Sequence, residues 1–427
     1  MRKAYANTTP SAYSSRPLSP VGPDIRGSGG PFPQKARVFS AFVASWKRRT
    51  RARRLVLGPA LGLTAALAVA GCTSGPAQTA STSAADRPAT PAITAGQAGQ
   101  VFTAYVATTA KAARTGDRSL ALSVVTGAQR AVLAAALGSQ AAVTSGPSSS
   151  AAYRSSLSVT LSPGRYSYGS PTFYLPERSG FPRFFVADVT QTPTGTAGGG
   201  QATATVGGAT VPAGGPALLL FEQSAASAPW LLASDSRLPR GESLPKLATD
   251  GAGYVPVVQP SAAGFLAQPD DVGPLQAAVV DDGPSSAATR AVAGGPLTTG
   301  MYQGAANHVD GLQAPRGDVY QWELDGSSLP QFALRTADGG ALVWYAMTLD
   351  ATVAVPGEIN KASPVQPGPP IPVPLALQTL LGKGQPAPRV QLQSEQTLSF
   401  AAIDPPADSA KVQVIAVGGG LTGASAS

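Results

Sequence analysis

The sequence predicts an α+β protein. Two similar domains, each of helices packed on a curved antiparallel sheet, follow a disordered leader, a signal peptide and a linker. Three observations carry this: a helical period opens the segment after Ala95, a period of two replaces it beyond residue 150, and the same order returns from Leu275. Helices followed by a run of strands, rather than strict βαβ alternation, is the α+β pattern.

In the first domain, residues 95–258, Val101, Phe102, Tyr105 and Val106 form one apolar stripe, predicting a helix that runs to Arg114 and stops at Gly116. Asp117 is placed to cap a second helix, and Gln129 to Leu137 predicts a third. After a Ser/Gly/Pro break at Ser145 to Ser150, strands are expected around Leu157 to Leu161, Phe173 to Leu175, Phe184 to Val189, Ala217 to Glu222 and from Trp230. The second domain, residues 262–423, offers helices at Leu275 to Val280, Ala287 to Val292 and Thr298 to Asn307. Its strands are expected at Val319 to Leu324, Gln331 to Arg335, Ala341 to Thr348, Thr397 to Ile403 and Lys411 to Val417. Pro171-Thr172-Phe173-Tyr174-Leu175 aligns with Pro330-Gln331-Phe332-Ala333-Leu334. In the same alignment Phe184-Phe185-Val186-Ala187 meets Val343-Trp344-Tyr345-Ala346, which suggests an internal repeat. Between the strands expected at Ala341 to Thr348 and Thr397 to Ile403, the proline-rich insertion 355–388 cannot form a central strand, because proline removes a ladder donor. It reads as an extended connection with a short helix at Leu375 to Leu381, and as a candidate partner-binding segment.

Upstream lies the most specific signal in the chain. Arg37, Lys47, Arg48, Arg49, Arg51, Arg53 and Arg54 lead into an uncharged run, Leu55 to Gly71, that ends Val69-Ala70-Gly71-Cys72. A basic region, an apolar region and small residues before a cut make a secretory leader, here 47–72. The run has 17 residues and contains Gly58, Pro59 and Gly62, short and weak for a lasting span. Cys72 is the only cysteine in 427 residues, so an exported product would otherwise carry one unexplained free thiol. Val-Ala-Gly-Cys resembles the bacterial lipoprotein signal. That resemblance implies cleavage between Gly71 and Cys72, fatty acylation of the Cys72 thiol, and anchoring at the outer face of the cytoplasmic membrane. Arg53-Arg54-Leu55-Val56-Leu57 also fits twin-arginine export, and the Sec route remains its alternative. Residues 73–94 form a Ser/Thr/Ala/Pro linker. Residues 1–46, rich in Pro, Ser, Gly and Arg, are expected to be disordered. They fit a start codon assigned too early, with translation beginning near Val38, or a genuine cytoplasmic extension.

Charge changes meaning once the leader is separated. The whole chain is +8, but residues 1–72 hold 12 Lys/Arg against Asp24 alone, leaving 19 basic and 22 acidic residues, or −3, beyond Cys72. Nucleic-acid binding thereby loses its support. No disulfide framework is available, so the folded part depends on hydrophobic burial.

Helices on a curved antiparallel sheet resemble the cone-shaped fold of nuclear transport factors, ketosteroid isomerases and cystatin-like domains. The chain as a whole is similar to uncharacterised actinobacterial lipoproteins with a domain of unknown function. The residues behind that likeness are the lipobox, Thr115-Gly116-Asp117, Phe181-Pro182-Arg183-Phe184-Phe185-Val186, Ala228-Pro229-Trp230-Leu231-Leu232-Ala233 and Gly253-Tyr254-Val255, over about Ala95 to Gly423. The resemblance implies an address and an architecture, with no established activity.

Chemistry-bearing motifs are few. His308 is the only histidine and no G-x-S-x-G elbow accompanies it, so a catalytic triad is not indicated. Zinc lacks Cys/His ligands, and Asp270-Asp271 and Asp281-Asp282 read as turn residues rather than a calcium loop. Ser243-Leu244-Pro245-Lys246 matches S-x-x-K, yet its proline places it in a loop. Gly198-Gly199-Gly200 and Gly418-Gly419-Gly420 are expected as loop tips or tail. Asp188, Glu222 and Glu323 are strand carboxylates that would serve acid–base work only if they faced a pocket. Trp230, Trp322, Trp344 and Tyr345 are expected in the core, or at a cavity mouth stacking on a sugar or apolar ligand. The expectation is a membrane-tethered binding or envelope-interaction module, without cofactor, metal or catalytic residues. A small-ligand carrier or a hydrolase- or isomerase-like enzyme with a cone pocket is the alternative.

Overall fold

The computed structural model describes residues 91–144, 166–177, 180–194, 203–316, 319–355, 369–382, 385–407 and 409–427. These belong to one compact unit, Thr82–Ser427. The leader, the signal peptide with Gly71 and Cys72, the linker up to residue 90, the strand expected at Leu157 to Leu161, Gly198 to Gly200 and residues 356–368 of the proline-rich insertion lie outside the described residues.

The opening helices follow their sequence signals. Helix α1, Ala95–Thr115, begins at Thr94, whose side chain accepts from the Gln97 N–H while the Gln97 side chain answers the Thr94 N–H. It ends at Gly116, left-handed at φ 66°. Asp117 caps α2, Arg118–Leu122, by accepting from the Leu120 N–H at 2.9 Å. Helix α3 spans Gly127–Thr144. In the second half α4 is Val272–Asp282, α5 is Thr299–Arg316 and α6 is Leu375–Leu381. The segment expected as a helix at Ala287 to Val292 is instead a 3₁₀ turn, Ala287–Arg290, closed behind Ser286.

The strands of the first half are β1 Tyr166–Tyr168, β2 Thr172–Glu177, β3 Arg183–Pro193, the hairpin β4 Thr203–Val206 with β5 Ala209–Pro212, β6 Gly215–Gln223, β7 Leu231–Arg237 and β8 Tyr254–Pro256. Those of the second half are β9 Val319–Gly326, β10 Phe332–Arg335, β11 Ala341–Ala354, β12 Gln391–Asp404 and β13 Gln413–Ala426. Eleven of them form one sheet in the order β10-β11-β12-β13-β7-β6-β3-β2-β8, with β1 beside β3 and β9 beside β11. The halves meet where β13 pairs with β7, Val417 opposite Arg237. The sheet also nearly closes, because Val257 bridges Leu334 of β10 just after β8.

Two expectations are corrected here. The sheet is mixed rather than purely antiparallel, since β8 runs parallel to β2. Gly418 to Gly420 are neither loop nor tail: they lie inside β13. A Cβ on Gly418 would stand 1.7 Å from the Asp235 carbonyl oxygen, and one on Gly419, at φ 122°, would stand 2.2 Å from the Thr397 oxygen. The close approach of β7, β12 and β13 requires bare backbone at those positions.

Both faces of the central strands are buried. One carries Phe184, Val186, Leu218, Leu220, Phe332, Leu334, Leu342 and Trp344 in a single cluster shared by the two halves. On the other, Phe185, Ala187, Leu219 and Phe221 pack under Phe102 and Tyr105 of α1, while Val343, Tyr345, Phe400 and Ala402 pack under Val272, Val279 and Met301 of α4 and α5. The halves correspond in register. Tyr174 opposite Val186 matches Phe332 opposite Trp344, each 158 positions apart, one fewer than the sequence alignment suggests. The one-residue change matters because it keeps matched side chains on the same face. A register shift between Leu220 and Phe221 also has its counterpart between Ala401 and Ala402.

Candidate functional site

Three polar features interrupt this core. The first joins β1, β3, β7 and α1. Gln191 donates to both carboxylate oxygens of Asp235, at 3.0 and 3.1 Å, and accepts from Arg237 Nε at 3.1 Å. The Arg237 guanidinium lies 4.8 Å over the Tyr166 ring. Burial raises the phenols of Tyr105, Tyr166 and Tyr168, and the first and last share a hydrogen bond. Donors and acceptors answer one another, so this ladder fixes strand register across an aromatic floor.

The second is Asp404, fully buried at the end of β12. Its Oδ1 accepts from the Ala267 N–H at 3.2 Å, and its Oδ2 has no partner. Burial pushes the carboxyl up to about 6 against the opposing pull of that hydrogen bond. The segment it grips also pairs with the residues after it, Phe265 with Pro406 and the Leu266 N–H with the Pro405 oxygen. Asp404 therefore pins the connector between the halves to the sheet. Nothing in the sequence singles it out, because Asp404-Pro405-Pro406 looks like an ordinary turn.

The third is a rim at one end of the first half, formed where β2 turns into β3 and β6 into β7. Arg183 at the start of β3 lies opposite Gln223 at the end of β6. Phe181 is 38% exposed, and among the described residues it alone is a large apolar side chain so exposed. The Arg183 guanidinium sits 4.6 Å from its ring centroid, and Arg183 Nε is buried without a hydrogen-bond partner. Half-buried Trp230 lies 5.2 Å from Phe185, just inside. The chain enters the fold here too: Pro91 bridges Glu177 at the end of β2, and the Ala92 N–H donates to the Pro176 oxygen.

The carboxylates singled out from the sequence do not converge. Half-buried Asp188 accepts from the Tyr174 hydroxyl at 3.3 Å; burial raises it, and Tyr174 rises to about 12. Glu222, raised by burial, lies opposite Phe184, four positions along β3 from Asp188. Glu323 faces Asp350, which faces Glu395, a row of like charges in which burial and then Glu395 and Asp325 raise Asp350. Among the described residues no group of three or more His, Cys, Asp or Glu could hold a metal ion. No described helix is long and apolar enough to cross a membrane.

The remaining candidates are dispersed. His308 falls within α5, Asp270-Asp271 in a 3₁₀ turn and Asp281-Asp282 at the end of α4, where Asp281 accepts from the Leu324 N–H. Ser243 and Lys246 lie in the irregular connector, away from any helix N-terminus. Trp344 is interior with an unpartnered Nε1, Trp322 packs against the second-half core, and Tyr345 donates to Gln276 at 2.7 Å.

A family model described as a domain of unknown function, DUF8094, matches residues 89–426, from the rim entry to the end of β13. No curated protein and no solved structure matches the chain.

Proposed function

From the premise that the chain belongs to the DUF8094 family, we propose that it is an exported lipoprotein. It is anchored by a fatty-acylated Cys72 at the outer face of the cytoplasmic membrane, and its folded part acts by binding in the cell envelope rather than by catalysis. The observation that carries this is one cysteine in 427 residues, placed directly after Val69-Ala70-Gly71 and a basic-then-apolar leader. One acyl chain holds a protein at a membrane only marginally, so a firm anchor implies more than one. The binding role draws support from packing: Phe184, Phe332, Leu334 and Trp344 fill one face of the sheet, and Phe102, Phe185 and Phe221 the other, where a cone pocket would need room. The matched shifts at Leu220/Phe221 and Ala401/Ala402 favour an origin of the two halves as copies of one cone-type unit.

Cys72→Ala tests the anchor. Wild-type chain in the membrane fraction, carrying acyl mass on an N-terminal Cys72, and release of the variant are expected. A wild-type chain with unmodified Cys72, retained in the cytosol, would refute export and anchoring together.

A further inference from the structure

We propose that the rim formed by Phe181, Arg183 and Trp230 is a contact site for an anionic phospholipid surface. Its chemistry is that of an interfacial anchor: an exposed ring, a guanidinium stacked on it, and a partly exposed indole behind. Aromatic side chains with one apolar and one wet end settle at the headgroup level, and a cation beside them gains from a negative surface. Among the described residues no carboxylate pairs with the Arg183 guanidinium, whose described partner is the Phe181 ring, so its positive charge is not neutralised there. Of the acidic groups beside the entry, Glu177 and Asp250, the second is held by the Ala252 and Tyr254 N–H groups, and both work against the attraction that Arg183 supplies.

Position supports the same occupant. Pro91, the first described residue on the chain leading back to Cys72, is paired to Glu177, four residues before Phe181. Tethering through Cys72 would therefore attach the fold to the lipid from this end, through the linker that precedes Pro91. That orientation rests on the anchored reading, whereas the affinity of the rim for lipid does not.

The test uses the compact unit Thr82–Ser427, which holds every described element and lacks both Cys72 and the basic leader. Flotation with vesicles of equal parts phosphatidylglycerol and phosphatidylcholine should carry this chain upward, more weakly as salt rises. Phe181→Ser with Arg183→Ser should lower partitioning about tenfold, with an unchanged far-ultraviolet circular dichroism spectrum. Phe181→Trp should keep binding, and its added indole should shift the emission to the blue on vesicles. Failure of the parent to float, equal flotation of the double variant, or an unshifted indole emission from the Phe181→Trp chain would each overturn the proposal. None of these outcomes bears on Cys72 acylation, which the fractionation test decides separately.

Discussion

Asp404→Asn should stabilise the protein at neutral pH. Asp404 is fully buried, one of its oxygens is unpartnered, and its carboxyl stands at about 6 against an ordinary 3.8. A folded-state value above the unfolded one means that the native state holds the proton more tightly. The contribution is then complete below 3.8 and is lost as pH rises through about 6. The gap between those values corresponds to about 3 kcal/mol, the cost of keeping a buried carboxylate ionised at pH 7. Asparagine removes that cost, preserves an oxygen for the Ala267 N–H and leaves one amide donor unanswered, which takes back about 1 kcal/mol. Urea unfolding of both chains at pH 4, 5, 6 and 7 isolates this group, because every other carboxylate is common to the two. The variant should begin slightly less stable and finish about 2 kcal/mol more stable, crossing over between pH 4 and 6. A difference that stays flat across that range would show that Asp404 is hydrated or paired in solution, and the reasoning would fail.

Two further substitutions probe the packing. Gly418→Ala places a methyl group against the Asp235 carbonyl where β13 meets β7, and should cost more than about 4 kcal/mol, visible as loss of soluble expression or a collapsed urea midpoint. Tyr345→Phe removes the donor to buried Gln276 Oε1, while the Gln276 amide keeps its bond to the Leu297 oxygen. Thermal unfolding should register a loss of about 1–3 kcal/mol.

Where local chemistry decides structure, the sequence is readable. Gly116 and Asp117 set helix ends through groups within four residues of one another and act as their types imply, whereas Thr94, read as the last linker residue, caps α1 together with Gln97. Strand positions are equally legible, because Phe184 to Ala187 and Ala341 to Tyr345 are unbroken apolar runs. Such runs hide which face is which: a strand buried on both sides shows no alternation, and the repeat therefore aligns one residue out of register on sequence alone. The glycines of β13 mislead for a different reason. Gly418 is set by the approach of Asp235 from a strand 183 residues earlier, and no local pattern encodes that. Asp404 and Arg183 escape notice as candidate groups on similar grounds, since burial without a partner is a property of the assembled fold.

That arrangement also constrains where function can reside. Once the two halves share a cluster on one face of the sheet and helices cover the other, the middle of the sheet serves cohesion. Polar surface then concentrates at the ends of the strands, at the Phe181–Arg183 rim on one half and along Glu323, Asp350 and Glu395 on the other. A guanidinium beside an exposed ring favours a negatively charged interface, whereas a row of facing carboxylates is repelled by one.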